Sequence, residues 1–225
     1  NSADPVHVWI LHGASAYGDQ SWGNRFFSTD DPPNFEPVDM PYGMKIVMSK
    51  NTGESVIVDE MSLGFPSILQ VGDTEFVHGK ADPKKLMNSG SEFEHFMFIT
   101  PNDDHHFMMF TVDYYTGPDP NFFTQLTEMR KREEPKEDLK PYDKRPLMPF
   151  RGNVRLEDIV TQGTQKLLGE RREHLGTSDR GVIMLRKMVL ESIRAVAEGN
   201  DPKGLILKED SKGLVKLDSF VGIRD

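Results

Sequence analysis

A long amphipathic segment near the end of the chain, TSDRGVIMLRKMVLESIRAVAEGNDP (residues 177–202), limits the fold more than any other part of the sequence. Its apolar residues recur at steps of three and four, which is the spacing of one face of an α-helix. They are Val182, Leu185, Met188, Val189, Ile193 and Val196. Ser178 or Asp179 can cap the start, and Gly199 with Pro202 can end it. The pattern predicts a long helix that packs its apolar face on a sheet.

Two pairs of β-rich runs precede this segment. The stretch GMKIVMSKNTGESVIVDEM (residues 43–61) predicts a hairpin, because Asn and Gly stand at its turn. EFEHFMFITP (92–101) and HHFMMFTVDYY (105–115) predict antiparallel neighbours that are too apolar on both faces to leave one side fully in water. The Gly-, Asp- and Pro-rich stretch 18–41 suits a long surface loop. Strands in the middle and helices at both ends predict an α+β fold, with residues 1–225 as a single domain.

Charge and cysteine content exclude several classes of function. The 36 acidic and 27 basic residues give a net charge of -9, which disfavours nucleic acid, since phosphate binding needs clustered Lys and Arg. With no cysteine in the chain, disulfides, thiolate-bound metals and cysteine nucleophiles are excluded, so any metal must be held by His and carboxylate. No signal peptide or membrane-length apolar run is present in the sequence, and we expect a soluble protein of the cytoplasm.

The opening stretch NSADPVHVWILHG contains an aspartate and two histidines, Asp4, His7 and His12. Residues 4–12 predict a short buried helix, with Pro5 at its first position. On an ideal helix the two histidines lie about 140° apart, so they converge on one ion less well than a pair four residues apart. Spacing alone leaves two interpretations open, metal ligands or hydrogen-bonded buried histidines.

Both ends of the chain resemble one protein family. The opening stretch resembles the pattern N-x-x-D-x-x-H-x4-H, which begins the catalytic domain in the large subunit of Rieske non-haem iron aromatic-ring-hydroxylating oxygenases. Asn1, Asp4, His7 and His12 occupy its four positions. The far end, REHLGTSDRGVIMLRKMVLESIRAVAEGNDPKGL (172–205), is similar to the phthalate-dioxygenase branch, whose members carry an EHLG-SD stretch before the last long helix. With the β-rich middle, the resemblance covers essentially the whole chain.

The resemblance implies a fold and a set of metal ligands. The fold is a helix-grip domain, in which a curved antiparallel sheet wraps a long C-terminal helix and a mononuclear Fe(II) lies between them. The iron ligands are the two histidines of the opening pattern and a carboxylate upstream of EHLG, which matches Asp158, with Glu157 as the rival. The resemblance makes Asp4 the bridge through which electrons reach an iron-bound histidine. It places Asn1 next to the ligands, without direct contact to the iron.

The resemblance also implies an activity and partners. The activity is that of a terminal oxygenase component, which activates dioxygen at Fe(II) to hydroxylate or oxidatively demethylate an aromatic or carboxylated aromatic substrate. A Rieske 2Fe-2S cluster needs two Cys and two His, so we expect it in an upstream domain that this sequence lacks, and we expect the chain to be a fragment. Expected partners are a reductase or ferredoxin and two further copies in a homotrimer or a multiple of it, since one subunit's cluster must reach another's iron.

Two functions of other classes compete with this interpretation. A zinc hydrolase could use the same ligand set to activate a water molecule. A non-catalytic ligand-binding module of helix-grip type would share the sheet and the long helix but would need no metal. The metal that the chain binds distinguishes the three functions.

Other conspicuous residues have plainer interpretations. PNDDHHF (101–107) predicts a turn and the start of a strand, because adjacent histidines on a strand point to opposite faces. We expect structural or surface roles for Glu173, His174, His78 and His95. The Phe and Met residues within 96–98 and 107–110 predict core packing, with the lining of an aromatic-substrate pocket as the alternative. An anionic substrate would need a nearby cation, for which Arg155 and Arg186 are candidates.

Overall fold

The structure, a computed structural model, describes residues 3, 32–51, 53, 56–73, 93–104, 106–133, 157–158, 161–162, 165, 168–205, 217 and 219–224. The strands are β1 (Asn34–Met40), β2 (Gly43–Asn51), β3 (Val56–Gly64), β4 (Ile68–Asp73), β5 (Phe93–Pro101), β6 (Phe107–Tyr115) and β7 (Phe220–Arg224). The longer helices are α1 (Phe122–Glu133) and α2 (Arg180–Ala197), and 3₁₀ turns lie at Leu168–Glu170 and Thr177–Asp179. Within these residues, no helix is long and apolar enough to cross a membrane.

The strands form one open antiparallel sheet. Strands β1 to β6 lie side by side in chain order, and β7 pairs with the first half of β3 while β4 pairs with the second half. The predicted hairpin is confirmed, because β2 and β3 pair antiparallel over their whole length. The predicted pairing of β5 with β6 is confirmed as well. With α2 packed on this sheet, the predicted α+β class is correct.

The core lies between one face of the sheet and α2. Met44, Ile46 and Met48 alternate along β2 and are almost fully buried, since residues two apart on a strand share a face. They pack with Ile57, Met61 and Met188 in one cluster. Burying each of these side chains contributes about 2 kcal/mol relative to exposure. This cluster holds the long helix on the β1–β2 side of the sheet.

Helix α2 forms where it was predicted, but only part of the predicted apolar stripe, with Leu185 and Met188, packs against the core. Gly181, Met188 and Ser192 are its buried residues, whereas Ile193 and Val196 are about 60% exposed. The expectation that the whole predicted apolar stripe packs inward is therefore wrong. Gly181 lets the helix approach Ile46 of the sheet closely, and Ser192 accepts a hydrogen bond from the backbone N–H of Lys203. Apolar periodicity reveals neither contact.

Strand β1 corrects the predicted loop of residues 18–41 over its last part. Residues 34–40 form a strand, and Pro37 lies opposite Ile46 of β2. A proline is tolerated there because β1 stands at the end of the strand order, where a missing N–H costs no ladder bond on the outer side. The rest of the predicted loop before residue 32 and the predicted helix 4–12 lie outside the described residues.

Strand β6 contradicts the expectation that the second strand pair is covered on both faces. Phe107, Met108, Met109 and Phe110 are each about half exposed or more, so these four residues are not core residues as predicted. Among the described helices, α1 covers the far end of β6, where Phe122 stacks on Tyr115 with ring centroids 3.8 Å apart. The hairpin of β5 and β6 therefore carries apolar side chains into solvent.

Candidate functional site

One residue of the predicted metal motif is buried beside α2. Ala3, which directly precedes Asp4, is 4% exposed. A Cβ placed on Gly181 would lie 2.4 Å from the carbonyl oxygen of Ala3 and 3.1 Å from Cδ1 of Ile46. The backbone before Asp4 therefore contacts the first turn of α2, and the same glycine lies close to Ile46 of strand β2. The predicted residues Asn1, Asp4, His7 and His12 themselves lie outside the described residues.

The two candidate carboxylates lie on a helical turn. Glu157 is 1% exposed, and Asp158 is half-buried. The hydroxyl of Thr161 donates to the backbone oxygens of Glu157 at 2.8 Å and Asp158 at 3.2 Å, as in a helix. Neighbouring helical residues point about 100° apart, so only one of the two carboxylates faces any given point. The lower exposure of Glu157 makes it a stronger candidate for the carboxylate ligand than the sequence indicates, and both residues remain candidates.

The EHLG stretch is tied to α2 by an ion pair. Arg186 donates two hydrogen bonds to Glu173, at 2.5 and 3.1 Å. These hydrogen bonds lower the pKa of Glu173 and raise that of Arg186. The geometry agrees with a structural role for Glu173, and it engages the guanidinium of Arg186 that was considered for an anionic substrate. His174 is exposed.

A cluster that sequence reasoning missed joins β5, β6 and α1. The carboxylate of Asp113 lies 2.5 Å from Nδ1 of His95 and accepts two hydrogen bonds from Arg130, at 2.6 and 3.1 Å. Burial raises the pKa of Asp113, but the bonds from Arg130 and His95 outweigh it and hold the pKa below its ordinary value. His95 and Asp113 are direct cross-strand partners, so the antiparallel register about the NDD turn could have revealed this pair. The hydrogen bonds from Arg130 could not be predicted in this way, because Arg130 lies on helix α1 and not on a paired strand.

We expect Asp113→Asn to lower the free energy of unfolding by about 2 kcal/mol near neutral pH, because it removes charge-assisted hydrogen bonds to two partners. Since the folded-state pKa is lowered, the carboxylate stabilises the fold above its ordinary value of 3.8, and this contribution is lost as the pH falls below about 4. Urea unfolding of both proteins from pH 7 to 3 checks this. The stability difference should shrink towards acid.

Asp103→Asn is the matched control for that substitution. Asp103 also contacts a histidine, with its carboxylate 2.9 Å from Nδ1 of His106, and it accepts the backbone N–H of His106 at 2.8 Å. These contacts confirm the predicted turn. Both side chains are more than half exposed, so we expect a change within about 0.5 kcal/mol. Equal effects of the two substitutions would contradict the assigned role of the His95, Asp113 and Arg130 cluster.

A shallow groove follows the outer side of α2. Its apolar residues are Leu175, Ile183 and Leu190, and its charged residues are Arg186, Lys187, Glu191 and Arg194. The volume is about 370 Å³. It lies on the opposite side of the helix from Gly181, so it is separate from the buried contact of Ala3.

The described residues do not by themselves assemble a metal centre. Among them, no group of three or more His, Asp and Glu side chains is placed to hold a metal ion. The predicted histidine ligands His7 and His12 lie outside that part of the chain. No protein-family model matches the sequence, and no curated protein is significantly similar to it.

Proposed function

We propose that this chain is the catalytic domain of the terminal oxygenase component of a Rieske non-haem iron system, with a helix-grip fold. The observation that carries the proposal is the burial of Ala3, directly before Asp4, against Gly181 in the first turn of α2. Gly181 in turn lies close to Ile46 of β2, so this contact is made where the long helix meets the sheet. An open antiparallel sheet with a long helix near the C-terminus is compatible with that fold.

In this proposal, His7, His12 and Asp158 hold a mononuclear Fe(II), with Glu157 as the alternative carboxylate. Two imidazoles and one carboxylate are a ligand set that would hold Fe(II), and the bound iron would supply dioxygen activation. The donor set fits, because a chain without cysteine has no thiolate to offer, and imidazole and carboxylate suit Fe(II). The candidate carboxylates lie on a helical turn with little exposure, so water competes weakly for them.

Electron supply follows from the same assignment. Asp4 would be the electron-transfer bridge from a neighbouring subunit's cluster, and its carboxylate would also orient an imidazole of the ligand set. The 2Fe-2S cluster belongs to a Rieske domain outside this sequence, which is reduced by a reductase or ferredoxin. A closed ring, most simply a homotrimer, lets each cluster serve the next subunit's iron. The substrate is an aromatic or carboxylated aromatic compound that is hydroxylated or oxidatively demethylated.

Iron content of protein purified without oxygen tests the proposal. We expect nearly one iron per chain in the unaltered protein and in His174→Ala, which alters an exposed histidine as a matched control. His7→Ala and His12→Ala should each abolish iron binding, since two remaining ligands hold Fe(II) too weakly to survive purification. Asp158→Ala and Glu157→Gln identify the carboxylate, because only the ligand's substitution should remove the iron.

Three results would contradict the proposal. Stoichiometric zinc in place of iron would indicate the hydrolase. A folded protein that takes up no metal on anaerobic addition of Fe(II) would indicate the binding module. Iron that survives in His7→Ala and His12→Ala would show that the N-terminal motif is not the site.

A further inference from the structure

The tip of the β5–β6 hairpin combines acidic and apolar side chains. Asp103 and Asp104 lie in its turn, and both are exposed. Beside the turn, Ile99 of β5 is 36% exposed, and Phe107 and Met108 of β6 are 60% and 49% exposed. We call these five residues the hairpin tip. Among the described residues, no cation pairs with Asp104. The hairpin tip therefore presents apolar surface together with an available negative charge.

The groove on the outer side of α2, which we call the α2 groove, has the complementary features. Its lining is apolar at Leu175, Ile183 and Leu190, and three of its four charged residues are cations. This local positive charge lies on a chain with a net charge of -9. The α2 groove is therefore an apolar surface whose charge attracts an acidic partner.

Arg194 is the cation of the α2 groove that is available to such a partner. Glu173 accepts two hydrogen bonds from Arg186, and the ammonium of Lys187 lies 3.8 Å from the carboxylate of Glu191. Among the described residues, no carboxylate pairs with Arg194, and its side chain is exposed. A guanidinium can donate two parallel hydrogen bonds to one carboxylate, which gives such a pair a defined geometry.

The two surfaces lie at opposite ends of the sheet. The hairpin tip belongs to β5 and β6, whereas α2 packs against β1 and β2. Strands β1 and β6 are separated by five strand spacings, or about 24 Å at about 4.8 Å each. Both surfaces are exposed in the single chain, so a hairpin tip does not occupy the groove of its own copy. Their positions suit a contact between successive copies.

We propose that the hairpin tip of one copy occupies the α2 groove of the next, and that three copies close a ring in this way. Phe107 packs on Ile183 and Leu190, and Asp104 pairs with Arg194. The groove follows α2 from Ile183 to Arg194, about 16 Å at 1.5 Å per residue. Two paired strands lie only about 5 Å apart, so a hairpin tip fits within that length.

Complementarity identifies a second copy as the occupant. One contact covers two apolar surfaces that would otherwise stay exposed in every chain. The contact has the anatomy of a specific interface, with apolar residues at its centre and opposite charges at its rim. The charges also set the orientation of the copies, because contact of tip against tip would bring the two Asp104 carboxylates together.

This contact joins two different surfaces, so it is heterologous, and it forms a ring when the rotation between copies closes. The number of copies, three, rests on the proposed function, in which the cluster of one subunit serves the next subunit's iron. The contact itself rests only on the hairpin tip and the α2 groove. It gives the ring of the proposed function a defined interface on this chain.

Sedimentation velocity with a charge exchange tests the pairing. We expect the unaltered protein at about 100 µM to have about three times the 25.6 kDa mass of one chain. Asp104→Arg and Arg194→Asp should each raise the dissociation constant about tenfold or more, because each places like charges together. The variant with both substitutions should form the trimer again. Lys131→Asp is the matched control, since Lys131 is an exposed cation of α1, and it should leave the mass unchanged.

Cross-linking gives a second, independent readout, because the chain contains no cysteine. Asn102→Cys and Lys187→Cys lie beside the two sides of the proposed contact, and a short bismaleimide is added to each protein alone and to their mixture. We expect a cross-linked pair in the mixture and little in either protein alone. A chain with both substitutions should give products of two and three chains on a denaturing gel, and none longer.

Several results would overturn the proposal. One is a monomer at about 100 µM, which would leave the α2 groove to an acidic partner of another kind. Another is a trimer that neither charge substitution weakens. Single-cysteine proteins that cross-link as well alone as in the mixture would exclude a heterologous contact, and products longer than three chains would exclude the closed ring.

Iron content, measured on the same preparations, separates this interface from the proposed function. A monomer that retains its iron would refute the interface and leave the oxygenase function standing. A trimer that takes up no iron and responds to the charge exchange would support the interface and refute the oxygenase function.

Discussion

Replacing Gly181 by alanine is expected to lower the free energy of unfolding by about 3 kcal/mol and to reduce iron binding. Helix propensity alone predicts the opposite sign, since alanine stabilises a helix by up to about 1 kcal/mol relative to glycine, the value for a helix interior. The new Cβ would lie 2.4 Å from the carbonyl oxygen of Ala3 and 3.1 Å from Cδ1 of Ile46. Because the first of these atoms belongs to the backbone next to Asp4, relief of the contact displaces the segment that carries the proposed ligands.

Urea unfolding and iron analysis of the same preparations check this expectation. Gly169→Ala is the matched control, because a Cβ there would have no neighbour within 4 Å, and it should change neither quantity appreciably. If Gly181→Ala is instead more stable by about 1 kcal/mol and retains its iron, propensity outweighs the contact. The packing of Ala3 would then not position the motif.

Gly43→Ala is expected to cost about 4 kcal/mol, among the largest effects of any single substitution. Gly43 has φ of 146°, a backbone conformation that side chains rarely adopt. Its Cβ would also lie 2.2 Å from the carbonyl oxygen of Leu63 and 2.9 Å from the nitrogen of Phe65. Both atoms are backbone, and the N–H of Phe65 donates to the carbonyl of Tyr42 at 2.7 Å. The β1–β2 and β3–β4 turns would have to separate.

Gly53→Ala distinguishes the contact from the backbone strain. Gly53 also has a positive φ, of 88°, but a Cβ there would have no neighbour within 4 Å. We expect it to cost only about 1 kcal/mol, the strain of one left-handed residue. Urea denaturation of the two variants measures the difference. Costs of equal size would mean that the contact with Leu63 contributes little.

The predicted site is only partly located by the fold. Sequence patterns single out Asp4, His7 and His12 by spacing and resemblance, and these residues lie outside the described part of the chain. The structure adds that the backbone next to Asp4 is held by Gly181. It also adds that Glu157 is the more buried of the two candidate carboxylates. Which of two adjacent acidic residues is buried depends on tertiary packing, and their local sequence does not determine it.

The sequence by itself determined the local elements of this protein. The β2–β3 hairpin, the pairing of β5 with β6 and the span of α2 follow from turn residues and from periods of two or about 3.6 residues, which are properties of adjacent positions. The excluded classes of metal site follow from composition in the same way. These features need no knowledge of distant contacts.

Only the tertiary structure decided how those elements meet. It buried the face of α2 that carries Gly181 and Met188 and left Ile193 exposed, left most of β6 uncovered, and brought Arg130 to the His95–Asp113 pair. Each of these outcomes depends on contacts between residues far apart in the chain. Their free energies depend on close fit and shared burial, and a one-dimensional pattern of apolar and polar residues carries neither.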